Sequence, residues 1–175
     1  MIKTYPLHKM SLLLLSKLIM THYKIMIIAI LLFTLIPLTV VTNWSMAYFI
    51  LQFHIIFFGG FWLSFIIHEY LHVLLLKRSK KKGEVEVELT LLKMTLYPKF
   101  KLTSNEMIKV AILPLIFLFI FGLGLILLAK WSNQTFVMVI GFLYTFHMIN
   151  LIPPLGDGMM LIKAIFNKKS SLERR

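Results

Sequence analysis

Residues 65–76 read FIIHEYLHVLLL, an apolar run interrupted by His68, Glu69 and His72. The stretch closes a longer apolar run, 46–76, which is long enough to cross a bilayer as a helix. An ionisable group in the middle of such a helix costs roughly 3 kcal/mol unless it is paired or coordinated, so three together mark a functional site.

The rest of the chain puts it in the same class. Of 175 residues, 59% are hydrophobic and only 15% charged, too little polar surface to cover a water-soluble core. Mean hydropathy is +0.85. Further apolar runs occupy 25–41, with Pro37 as an expected kink, 107–129 and 135–152. The segment 11–20 is apolar but short and carries Lys17, which predicts an interfacial helix. The 46–76 run is long for one span and is expected to begin irregularly, with Gly59-Gly60 as a bend or a close helix contact. No small-residue cleavage site follows the first apolar run, so that run is expected to remain as an anchor.

The formal net charge is +12. In a membrane protein, basic residues mark cytoplasmic loops and contacts with anionic lipid rather than nucleic acid. Four spans leave Lys130 alone on one side and the other 18 of 19 basic residues on the opposite side. The positive-inside rule makes that side cytoplasmic, with both termini inside. There is no cysteine, which excludes disulfides and thiolate chemistry.

The 78–106 loop is expected to hold a small interfacial β-hairpin. Glu84-Val85-Glu86-Val87-Glu88-Leu89 alternates with the period of a half-buried strand. The frame slips at Leu91-Leu92, which predicts a bulge or turn, and Lys99-Phe100-Lys101-Leu102 alternates again after Pro98. A charged amphipathic loop lying on lipid headgroups is the alternative. Thr103-Ser104-Asn105-Glu106 reads as a capping box that opens the third span.

His68-Glu69-x-x-His72 is an HExxH arrangement. Residues four apart share a helix face, so both imidazoles can hold one metal ion, and Glu69 is placed to take a proton from water. A carboxylate between the histidines argues against a purely structural zinc, which is usually closed by four Cys or His ligands. Two imidazoles leave the metal short of a ligand. The candidate is Asp157, in Asn150-Leu151-Ile152-Pro153-Pro154-Leu155-Gly156-Asp157-Gly158, where prolines end the fourth span and glycines let the backbone turn. By the topology above, Asp157 and HExxH lie near the same membrane face. His54 lies about 21 Å up the helix from His68, too far to share a ligand. His147, just before Asn150, is a candidate supporting residue. Gly122, Gly124 and Gly141 read as helix contacts.

Together these motifs resemble the site-2 proteases, intramembrane zinc metalloproteases, over roughly residues 60–165. That family pairs HExxH on one transmembrane helix with Asn-x-x-Pro leading into Asp-Gly two helices later. Here the second element is Asn150-x-x-Pro153 followed by Asp157-Gly158, with a shorter interval between Asn150 and Asp157 and with Leu155-Gly156-Asp157-Gly158 in place of Leu-Asp-Gly. The resemblance implies Zn2+ as cofactor, His68, His72 and Asp157 as metal ligands, Glu69 as the catalytic residue, and Asn150 and Pro153 as substrate-binding residues. It also implies a small sheet after the first motif helix.

The expected fold is therefore an all-α membrane protein with about four transmembrane helices and a small β-hairpin in the cytoplasmic loop. Residues 1–45 form an N-terminal interfacial segment and first span, 46–166 a catalytic membrane core, and 167–175 a basic cytoplasmic tail. The expected partners are a membrane-embedded protein or peptide substrate and the lipid bilayer, with no nucleic acid. The alternative function is a metal or proton transporter component, or an inactive scaffold with a protease fold.

Overall fold

The computed structural model describes residues 2–40, 43–79, 82–90 and 94–172. The chain is mostly helical. Strand β1 (Ile2–Pro6) is followed by α1 (Leu12–His22) and α2 (Lys24–Val40). Helix α3 (Trp44–His54) runs through a π-helical stretch, Ile55–Trp62, into α4 (Leu63–Arg78). Strands β2 (Glu84–Leu89) and β3 (Met94–Pro98) precede α5 (Ser104–Ser132), α6 (Thr135–Phe146), a 3-10 turn at His147–Leu151, and α7 (Gly156–Leu172).

Three helical stretches are long and apolar enough to cross a membrane: Trp44–Arg78, Ser104–Ser132 and Thr135–Lys168. A fourth exists if Leu12–His22 and Lys24–Pro37, bent by 69°, act as one span. The sharp bend lies between α1 and α2, at Tyr23, while α2 continues past Pro37 as helix. The irregularity expected near Gly59-Gly60 is the π-helical stretch, where Gly60 is buried. Many large apolar side chains on α2, α5 and α6, such as Phe33, Ile120, Leu127 and Phe142, point outward, as lipid-facing surfaces do.

Helix starts follow local chemistry. Ser11 caps α1 by accepting from the Leu14 amide at 3.1 Å. The capping box at α5 is present: Thr103 Oγ1 accepts from the Glu106 amide, and the Glu106 carboxylate accepts from the Thr103 amide at 2.7 Å. Asn133, in the left-handed region at φ 53°, ends α5 and turns the chain directly into α6. These two helices pack closely because Gly122 and Gly141 face each other. A Cβ on either would stand 2.7–2.8 Å from the other's carbonyl oxygen.

The expected hairpin is present, but it belongs to a three-stranded antiparallel sheet in the order β1-β2-β3. The added strand comes from the N-terminus, pairing Ile2 with Glu88 and Pro6 with Glu84. The second hairpin strand lies before Pro98, not after it. Lys99 still donates to the Glu84 carbonyl at 2.9 Å, but β2 begins there and β3 has ended at Pro98. Phe100 packs over Gly83 instead. The slip expected at Leu91-Leu92 falls outside the described residues.

Alternation along β2 gives the sheet two faces. Val85, Val87 and Leu89 are buried in one core with Leu7, Met10, Leu15 and Ile19 from the N-terminal segment and with Val73 and Leu76 of α4. Lys99 ties the opposite face together, pairing with Glu86 at 3.1 Å and donating to Thr4 Oγ1 at 3.3 Å. The sheet thus braces the C-terminal half of α4, the helix that carries HExxH.

Candidate metal centre

Helix α4 presents two buried stripes. Ser64, His68 and His72 recur every four residues on one, and Ile66, Glu69, Val73 and Leu76 follow the other. The second stripe packs into the N-terminal core, which leaves Glu69 at the seam between that core and the histidines. The Tyr23 phenol, at the α1–α2 bend, lies within electrostatic reach of the Glu69 carboxylate.

Asp157 arrives from a broken helix. The fourth apolar run does not end at its prolines. Regular α-helix stops at Phe146, a 3-10 turn carries the chain to Leu151, and α7 restarts at Gly156. The Pro153–Pro154 peptide bond within the intervening turn is cis. Asp157 therefore sits in the first turn of α7, where a carboxylate complements the helix dipole. The turn closes tightly onto α7, so that a Cβ on Gly158 would collide with the Leu151 carbonyl. Ala164, two turns on from Asp157 along α7, is fully buried and holds the helix against the bundle.

These two elements bring two imidazoles and a carboxylate together. His68 Nε2 and His72 Nε2 are 3.0 Å apart. Asp157 Oδ2 lies 3.2 Å from His68 Nε2, and Asp157 Oδ1 lies 3.2 Å from His72 Nε2. All three residues are buried, each less than 10% exposed. Hydrogen bonding alone serves this arrangement badly. A proton on each Nε2 would set two N–H groups against each other, and Asp157 Oδ2 has no hydrogen-bond partner among the described residues. One cation facing three bare acceptors satisfies all of them. One ligand atom from each residue lies within 4.8 Å of the others, close enough for one ion to reach all three. His68, His72 and Asp157 thus form a group fitted to hold a metal ion.

The surrounding groups complete the site. The backbone of Val110, on α5, lies beside the His72 ring. His147 stacks on His68 with ring centroids 5.0 Å apart and planes 19° from parallel. Its Nε2 lies 3.0 Å from Ser64 Oγ, whose own proton goes to the Phe61 carbonyl at 3.0 Å. Tyr144 donates to the Gly59 carbonyl at 3.2 Å, joining α6 to the π-helical stretch. Ser64 is the residue that sequence reading passed over; its signal was its place one turn before His68 in an otherwise apolar run. Asn150, part-buried on the 3-10 turn, and Pro153, exposed just after it, precede Asp157 in the chain and stand outside the three-residue group. His54 is occupied elsewhere, bridging α3 to Thr34 of α2 at 3.0 Å.

Residues 61–172 match the model of the family DUF3267, "Putative zincin peptidase". The chain belongs to this family. The match makes the protein one of a family of zinc metallopeptidases and implies zinc as the metal, and His68, His72 and Asp157 form a group that could hold it. The matched region encloses HExxH, the 3-10 turn and Asp157, and leaves β1 and α1 to α3 outside it. Neither a curated protein nor a solved structure matches the chain.

Proposed function

We propose that this family member is an intramembrane metalloprotease of the site-2 type, hydrolysing a peptide bond in or near a transmembrane segment of a membrane protein or peptide precursor. The observation that carries the reading is the convergence of His68 and His72 with Asp157 on helices apolar enough to cross a bilayer. A soluble peptidase has no need to bury its ligands in such helices.

When bound, zinc supplies a Lewis acid that polarises the scissile carbonyl and makes water easier to deprotonate. Glu69, buried beside both histidines, takes the proton from the attacking water and returns it to the departing amine. Asn150 and Pro153, on the irregular chain before Asp157, are placed to hold the substrate backbone. That backbone is extended at the scissile bond, because helical hydrogen bonding shields a carbonyl from attack. The partners are the bilayer and a membrane-embedded substrate, and nucleic acid has no part.

The protein is a multi-pass membrane protein with both termini cytoplasmic and the site toward the cytoplasmic side. The basic run from Lys77 follows His72 within about two helical turns. Trp44 and Trp131, both almost fully exposed, begin α3 and close α5 at the opposite face, as aromatic residues at a membrane interface do.

Membrane peptidomes from cells making the wild-type protein or E69Q test this. The expected result is a set of fragments ending in or beside a membrane segment that E69Q does not generate although it retains zinc. Identical peptidomes from the two would overturn it.

A further inference from the structure

The two histidine ligands are oriented by different means. A metal-binding histidine ordinarily gives its second ring nitrogen to a carbonyl, carboxylate or water, which fixes the ring plane. His72 has the Val110 backbone beside it for this purpose. His68 does not: its Nδ1 is buried and has no hydrogen-bond partner among the described residues. What surrounds His68 is aromatic. The edge of His72 meets it at 4.7 Å and 84°, and the face of His147 lies along it at 5.0 Å and 19°. Both separations fall in the range of favourable aromatic pairs.

His147 is itself held. Ser64 Oγ donates its one proton to the Phe61 carbonyl, so its 3.0 Å contact with His147 Nε2 requires the imidazole to donate. That bond ties the 3-10 turn after α6 to α4 one turn before His68.

We propose that His147 is a positioning residue that fixes the plane of the zinc ligand His68 by ring stacking, with Ser64 holding His147 in place. Stacking here does the orienting work that a hydrogen bond ordinarily does for a metal-binding histidine. The inference rests on the reading of His68, His72 and Asp157 as zinc ligands. It further assigns the turn after α6 two tasks, delivering Asp157 to the site and bracing the opposite ligand.

The test is zinc affinity of the full-length protein in detergent, by chelator competition, together with the visible spectrum of the Co(II)-substituted form. H147L fills a similar volume without a ring, and H147F keeps the ring without the bond to Ser64. H147L should bind zinc about 10–100-fold more weakly, the usual cost of losing an orienting partner, with an altered Co(II) spectrum. H147F should recover most of that loss, and S64A should weaken zinc only a few-fold. Circular dichroism establishes that each variant is folded, and H147F against S64A still decides the matter if H147L is not. Wild-type affinity in H147L, or H147F as weak as H147L, would overturn the stacking role while leaving the metal site standing. An S64A variant weaker than H147F would overturn it as well, since the bond and not the ring would then matter. Absence of zinc binding by the wild-type protein would overturn both.

Discussion

On α4 the candidate ligands His68 and His72 sit four residues apart on an unbroken helix, whereas Asp157 comes from a chain that leaves the α-helix at Phe146, turns, and restarts at Gly156. The first half uses periodicity and needs only a helix to form. The second uses interruption, because an uninterrupted helix would carry residue 157 about 16 Å beyond Phe146 along its axis. The contrast extends to support. The α4 half is braced by the β-sheet and the N-terminal core, the other by a tight turn in which Gly158 has no room for a side chain. A metal centre between them makes each half depend on the other.

The largest expected effect breaks that dependence at its ligands. H72A and D157A should each reduce zinc affinity by more than the roughly 10–100-fold that an outer partner contributes. They should do so to a similar extent, measured by chelator competition. A D157A variant with near wild-type affinity would show that the interrupted half is only a turn. Next comes E69Q, which leaves the ligands in place. It should retain zinc but lose roughly 10²–10⁴-fold in cleavage rate, the usual contribution of a general acid–base. Loss of zinc by E69Q would mean that the carboxylate helps to build the site.

Smaller effects address the supports. G158A forces the α7 start away from the Leu151 carbonyl and should cost about 1–3 kcal/mol with a measurable loss of zinc affinity. A stable G158A with unchanged zinc binding would show that the turn does not set the Asp157 position. The smallest change is T103A at the α5 capping box, expected to cost about 1 kcal/mol in thermal unfolding in detergent and to leave zinc affinity unchanged. An effect on zinc there would show that the start of α5, below Val110, is coupled to His72.

Legibility in the sequence follows the same division. HExxH, the 46–76 and 107–129 apolar runs and the Thr103–Glu106 capping box are local patterns, and the structure has each on helix where the pattern put it. The strand at Glu84–Leu89 was equally legible from its alternation. Strand β1 was not, because five residues reading IKTYP carry little signal alone and are ordered by pairing with residues more than seventy positions away. The β3 assignment slipped past Pro98 because alternation in Lys99-Phe100-Lys101-Leu102 says nothing about where the partner strand ends. At the site, Asp157 could be found by charge, as one of the few carboxylates near a span, with Glu69 and Glu106. Its placement at the start of a further helix could not, since two prolines and two glycines read as an end. Ser64 was hidden for a similar reason, because its contact with His147, itself already a candidate supporting residue, joins segments far apart in the chain.

The central claim is that one zinc ion is held jointly by α4 and α7. X-ray absorption at the zinc edge of the purified, detergent-solubilised protein tests it directly, with H68A and D157A alongside. The expected result is one zinc per chain with two imidazole ligands and oxygen completing the shell at about 2.0–2.1 Å, the imidazole signal falling in H68A and the oxygen shell changing in D157A. No stoichiometric zinc in the wild type, or a spectrum that D157A leaves unchanged, would contradict the account.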